Sequence, residues 1–162
     1  MEPKGSPSNG YADSDESDLL EKEQQLIEDF NEERAQGDHK TKLTYRKLDI
    51  GDYDLGYYDV LSNLTETGDV SKEQFEKRFN IIDPQHSSTY KIIVGVDQDN
   101  GNIVVNGTLV VEKKFIRGCS QCGHIEDIVV HKDYGKQGIG KEVVDLLKKI
   151  ARINLCYKTT LD

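Results

Sequence analysis

The residues best suited to chemistry lie together between His124 and Lys141. Two adjacent carboxylates, Glu126 and Asp127, open an apolar run of Ile128, Val129 and Val130. On residue type alone these two read as ordinary exposed carboxylates. Gly135, Gly138 and Gly140 follow, where the chain needs backbone angles or close approaches that a side chain would block. From Lys141 the apolar period becomes helical, through Val143, Val144, Leu146, Leu147, Ile150 and Ala151. A turn of bare amides at a helix N-terminus attracts anions, because the orphan N–H groups and the helix dipole act together. A nucleotide P-loop has the same glycine and lysine spacing, but Glu142 stands where its Ser or Thr would be. The dinucleotide order Gly-x-Gly-x-x-Gly is also not met. A strand-to-helix turn whose glycines serve geometry alone remains open.

A third pattern does fit: Gln/Arg-x-x-Gly-x-Gly/Ala, the acyl-CoA turn of the GNAT N-acetyltransferases. Glu126 to Val130 followed by Tyr134 to Lys141 resembles the glucosamine 6-phosphate N-acetyltransferases of that superfamily. So do Leu64 to Phe75, Glu112 to Ile116 and Cys156 to Asp162, and the likeness runs in one order from about Leu43 to the end. It implies an α/β GNAT fold, a mixed central sheet flanked by helices. It also implies transfer of acetyl from acetyl-CoA to the amine of D-glucosamine 6-phosphate, toward UDP-N-acetylglucosamine, by direct attack in a ternary complex.

The same resemblance supplies roles. Backbone groups of Ile128 and Val130 would hold the pantetheine arm like an added strand. Gly135, Lys136, Gln137, Gly138, Ile139, Gly140 and Lys141 would wrap the pyrophosphate. Glu126, Asp127 and Asp162 would hold and orient the amine, and Thr65 and Gly68 would lie near the sugar phosphate. Acetyl-CoA is the expected co-substrate, without a metal, and a homodimer is the assembly the resemblance allows. Two departures stand out. Gly135 replaces the usual Gln or Arg, which removes one side-chain contact and should weaken CoA binding about tenfold. The sequence stops at Asp162, before the last helix and strands that relatives carry, including their thiolate-serving tyrosine. The alternatives are therefore a CoA-binding short form with little turnover, or a different amine acceptor.

Positioning these groups needs one α/β domain, and 162 residues suffice for it. The net charge of -9 is uneven: residues 1–40 hold 12 acidic and 4 basic side chains, the remainder 18 and 17. A near-neutral domain over 41–162 thus follows an acidic tail over 1–40. Disorder is expected over 1–17. A helix is expected over 18–35, whose stripe of Leu19, Leu20, Leu26, Ile27 and Phe30 would dock on the domain or on a partner, or fray. Nothing suggests a nucleic-acid binder, a membrane span or a secretory signal, so a cytoplasmic location is expected. Cys119-x-x-Cys122 with His124 has metal-ligand spacing but no second pair, which favours an ordinary loop before a strand. The remaining elements read as a strand over 43–48, a helix over 49–63, a helix over 71–82 with Ser71 as N-cap, strands over 90–96 and 102–111 as a hairpin, a strand over 125–130, a helix to about 153, and a strand over 157–161. Tyr53, Tyr57 and Tyr58 read as core or edge residues.

Overall fold

The computed structural model describes residues 16–162; the rest of the stretch expected to be disordered, residues 1–15, lies outside the described residues. The first element is α1 (Glu16–Ala35). Its apolar stripe docks on the domain: Ile27 is fully buried, and Leu26 and Phe30 pack on the same core cluster. The packed body therefore begins at α1 and not at residue 41, where composition alone put the boundary. The acidic composition concealed this because one of the acids is itself buried. Glu23 lies between Lys91 Nζ at 2.7 Å and Lys47 Nζ at 2.9 Å, and its carboxylate accepts a hydrogen bond from Asn154 Nδ2 at 2.8 Å. Asn31 ties α1 to β1 (Leu43–Lys47), bonding both the N–H and the C=O of Tyr45 at 2.8 Å.

The single helix expected over 49–63 is two short pieces. A 3-10 turn over Ile50–Leu55 ends at Gly56, whose φ of 83° turns the chain before α2 (Tyr57–Leu61). The break has a polar cause. The buried Asp52 carboxylate closes a capping box with Asp49 and grips Arg46 through two bonds of 2.7 and 2.8 Å. Helix α3 (Lys72–Ile82) starts as its sequence dictates. Ser71 caps the Gln74 amide, the Gln74 side chain returns the bond, and Val70 and Phe75 join one apolar cluster.

The sheet has the order β1-β2-β3-β4-β5. Strands β2 (Tyr90–Asp97) and β3 (Ile103–Lys113) form the expected hairpin, closed by the Asp97 N–H to Asn102 C=O bond at 2.9 Å. Strand β4 (Gln121–Val130) is antiparallel to β3, and β5 (Cys156–Leu161) is parallel to β4. Helix α4 (Ile139–Ile153) crosses between those two strands. Strand residues alternate between faces. Ile93 thus packs toward α1 and α4, whereas Ile92 and Val94 pack toward α2 and α3. Among the described residues no helix is long and apolar enough to cross a membrane.

The buried ion cluster makes a direct stability prediction. Burial pushes the Glu23 carboxyl up, but hydrogen bonds from Lys91 and Asn154 and the charges of Lys91 and Lys47 outweigh it and hold it below the ordinary value. Its contribution is complete above the unfolded-state pKa and is lost as pH falls through the folded one. Glu23→Ala leaves two buried ammonium groups uncompensated. It should cost about 3–5 kcal/mol in urea unfolding at neutral pH, with a smaller penalty in acid.

Candidate active site

The site is built on an irregularity in β4. The β3–β4 register shifts between Asn106 and Thr108: Asn106 opposes Val129 while Thr108 opposes Glu126. Asp127 and Ile128 therefore share the space opposite Gly107, and Asp127 takes φ 51°. This is a β-bulge. Its extra residue inverts the alternation. Ile125 faces α4 before it, and Ile128 and Val130 face α4 after it, while Val129 joins the opposite cluster. Two consecutive carboxylates, Glu126 and Asp127, are thereby brought to line the same cleft. Gly107 is required opposite the bulge, because a Cβ there would lie 2.9 Å from side-chain atoms of Ile128, Leu147 and Val143. The buried Asn106 side chain pins the distortion: Nδ2 donates to the Asp127 carbonyl at 3.0 Å, and Oδ1 accepts from the Tyr57 hydroxyl at 3.0 Å.

The cleft, of about 450 Å³, has an apolar floor that includes Tyr57, Phe75, Phe79 and Ile92. Its rim carries Tyr58, Tyr90, Arg78, Glu126 and Asp127. Among the described residues Arg78 has no carboxylate partner, and neither acid is consumed by an ion pair. Burial, together with the Tyr58 and Asp127 charges, pushes the Tyr57 phenol well above its ordinary range, so this tyrosine is a packing and hydrogen-bonding group.

Just before the bulge, β4 carries the edge strand β5. Pairing of β4 with β5 ends at Ile125 opposite Leu161, with the Asp162 N–H to Ile125 C=O bond at 3.2 Å. Strand β4 stays bound to β3 as far as the His131 N–H to Val104 C=O bond at 2.7 Å. The glycine turn comes next. Gly138 is the α4 N-cap, at φ 77° with nothing within 4 Å of a Cβ position. The first bonded amide of the helix is that of Glu142, on the Gly138 carbonyl at 3.1 Å, so the amides before it have no intrahelical acceptor.

Two contacts from the N-terminal segment brace this turn. Arg34 Nε and the Tyr45 hydroxyl both donate to Glu142 Oε2 at 2.7 Å, and the Thr41 hydroxyl donates to the Gln137 side-chain oxygen at 2.9 Å. Glu142, the residue that spoils the P-loop pattern, is therefore a neutralised anchor for the helix start. Lys141 turns along the helix to Asp145 at 2.6 Å, whereas Lys136 stays exposed without an ion pair among the described residues. Tyr134 is an anchor too, donating to Asp97 at 2.6 Å.

The other expected residues are more dispersed. Asp162 is exposed at the end of β5, with Oδ2 3.6 Å from His124 Nδ1. Gly68 lines a shallow groove that shares Tyr58 with the cleft, while Thr65 lines neither. Cys119 is exposed in the β3–β4 loop and Cys122 is buried in β4, so the Cys-x-x-Cys spacing straddles a loop and a strand.

Residues 58–162 match the acetyltransferase (GNAT) family. A glucosamine 6-phosphate N-acetyltransferase from Dictyostelium discoideum is 48% identical over 120 residues, 74% of this chain and 75% of that protein. One from Candida albicans is 40% identical, over 74% of this chain and 78% of its own length. The crystal structure of the Arabidopsis thaliana enzyme of that name superposes with a TM-score of 0.71 at 38% identity, covering 74% of this chain and 81% of that one. The chain belongs to the GNAT acetyltransferase family. Within it, the chain stands with the glucosamine 6-phosphate N-acetyltransferases. The match over 58–162 covers the bulged strand β4, the glycine turn and α4.

Reading the GNAT sequence alone missed Arg78, Asn106 and the Arg34–Glu142–Tyr45 brace. A buried asparagine in an apolar strand and an acid in the first turn of a glycine-led helix were the available signals. Asn106→Ala leaves the Tyr57 hydroxyl unpaired and the bulge unpinned. It should cost about 1–3 kcal/mol in thermal or urea unfolding, whereas Asn102→Ala, in the exposed hairpin turn, should be close to neutral.

Proposed function

We propose that this chain transfers acetyl from acetyl-CoA to the amine of D-glucosamine 6-phosphate, giving N-acetyl-D-glucosamine 6-phosphate and free CoA. The observation that carries the reading is one cleft bearing two carboxylates and one guanidinium without ion-pair partners among the described residues, directly beside the β4 bulge. An amino-sugar phosphate is a cation at one end and an anion at the other, and the cleft is its complement. The diphosphate of acetyl-CoA goes to the amides of Gly138, Ile139, Gly140 and Lys141, with Gly135, Lys136 and Gln137 shaping the turn. The pantetheine arm runs along the backbone of Ile128 and Val130, like an added strand.

Glu126 and Asp127 hold the amine, Asp162 orients it, and Thr65 and Gly68 close the side of the sugar phosphate. The neutral amine attacks the thioester carbon directly, the C–N bond forms as the C–S bond breaks, and an amide on the β4 edge meets the developing oxyanion. Neither Cys122 nor Cys156 is suited to carry the acetyl group, and the exposed Cys119 does not line the cleft. Burial pushes the Cys156 thiol up to about 11, and Cys122 is buried. With this reading go a homodimer, a cytoplasmic location and a reaction that asks for no metal.

The deciding assay follows free thiol with acetyl-CoA and either glucosamine 6-phosphate or a basic peptide. Turnover with the sugar alone is expected; turnover with the peptide alone would overturn the acceptor, and CoA binding without turnover would make the chain a binding module. Arg78→Ala should raise KM for glucosamine 6-phosphate about tenfold or more, the worth of a charge-assisted hydrogen bond, and leave KM for acetyl-CoA unchanged. Gly138→Asp meets no steric obstacle and Asp tolerates the left-handed region, so the fold should persist. Calorimetry should nevertheless show acetyl-CoA binding weakened at least a hundredfold, because a carboxylate then faces the diphosphate.

A further inference from the structure

Two residues before the paired acids, on the same face of β4, stands His124. Its Nε2 is 2.7 Å from Glu112 Oε2 on β3. Its Nδ1 is 3.2 Å from the Thr160 hydroxyl on β5 and 3.6 Å from Asp162 Oδ2. The ring therefore bridges three strands, with one carboxylate at each end. A carboxylate accepts only, so the 2.7 Å contact requires the proton on Nε2. That assignment leaves Nδ1 bare in the neutral ring, facing Asp162. The Thr160 hydroxyl suits either state, since it can donate to a bare Nδ1 or accept from a protonated one. Glu112 is half-exposed and is also held by Lys114 at 2.7 Å. The Lys114 ammonium first, and His124 second, keep its carboxyl below the ordinary range. It thus remains an acceptor across neutral pH and opens the far end of the ring to solvent.

We propose that His124 is a positioning residue and proton acceptor behind Asp162, taking through that carboxylate the proton that the substrate ammonium must lose and passing it to water at Glu112. The inference rests on the reading that Asp162 orients the amine. The balance is simple. The sugar ammonium and acetyl-CoA give the amide, CoA thiol and one proton. That proton sits on His124 Nδ1 as an imidazolium between two carboxylates; water at Glu112 takes the Nε2 proton, and exchange of the ring protons with water then restores the Nε2–H form. The 3.6 Å gap to Asp162 is within the range that closes when a substrate cation draws the carboxylates together. The titratable and charged groups around the ring are Glu112 on β3 and Lys114 just beyond it, Cys122 and Glu126 on β4, Lys158 on β5, in register with Cys122, and Asp162 just after β5.

Two measurements on the full chain decide it. In steady-state kinetics His124→Gln should lower kcat about a hundredfold, the low end for a positioned acid–base group, with KM for acetyl-CoA unchanged. It should also abolish the acidic limb of the kcat–pH profile. Glu112→Gln should move that limb to lower pH, because the imidazolium loses an opposite charge. A His124→Gln enzyme with the wild-type rate and profile would overturn the proposal.

The second measurement is a nitrogen-15 NMR titration of the ring without substrate. The neutral ring should be the Nε2–H tautomer, and Asp162→Asn and Glu112→Gln should each lower its midpoint. An Nδ1–H tautomer, or a midpoint indifferent to Asp162→Asn, would overturn the proposal even if the wild type fails to use glucosamine 6-phosphate. That failure by itself would sink only the acceptor reading. A ring that does not titrate until a chelator is added would also overturn it. The Glu112–Cys122–His124 group, whose ligand atoms lie within 4.8 Å of one another, would then be a cation site.

Discussion

The one-residue slip of β4 against β3 is the constraint from which the site follows. A regular strand would send Glu126 and Asp127 to opposite faces, and one of them would be forced into the apolar layer beneath α4. The bulge avoids that burial and turns both carboxylates to the cleft. It also re-aims the edge of β4 where β5 stops pairing. The distortion persists because its surroundings determine it. Gly107 leaves room for the displaced Ile128, and Asn106 ties the Asp127 carbonyl to the Tyr57 hydroxyl.

The helix end has a different problem. A turn proposed to hold a diphosphate must not present uncompensated negative charge, yet Glu142 sits in the first turn of α4. An acid there suits the helix dipole, and Arg34 removes its net charge at 2.7 Å. The same contact fastens α1 across the start of α4. Glu23, Lys91, Lys47 and Asn154 fasten the opposite part of α1. Helix α1 is thus a structural wall behind the glycine turn.

Local signals were legible in the sequence wherever one chain segment determines its own conformation. The Ser71–Gln74 cap, the hairpin at Asp97 to Gly101 and the helix after Gly140 all appear where the residue pattern put them. Long-range effects were not legible. The run Ile125 to Val130 hides a phase change, because apolar residues on both sides of the bulge read as one continuous strand. Two adjacent acids inside that run were the only trace. The helix expected over 49–63 failed for the same reason: Asp52 serves Arg46, a partner on β1, and Gly56 then ends the turn. Arg34 and Glu142 lie 108 positions apart, beyond the reach of any periodicity.

Direct transfer puts unusual weight on this scaffolding. An enzyme with a covalent intermediate can bind its substrates in turn, and each half-reaction has its own chance to align. Here both substrates must be held together, and the largest available rate gain comes from alignment of amine and thioester within about 3–3.5 Å. That alignment depends on the separation between the carboxylates at the bulge and the amides of the glycine turn. Asn106 fixes one end of that separation, and the Arg34–Glu142–Tyr45 brace fixes the other. On the proposed reaction, groups that never touch a reacting atom therefore set the geometry for Glu126, Asp127 and Asp162, and small losses of packing at either support should appear in kcat before they appear as unfolding.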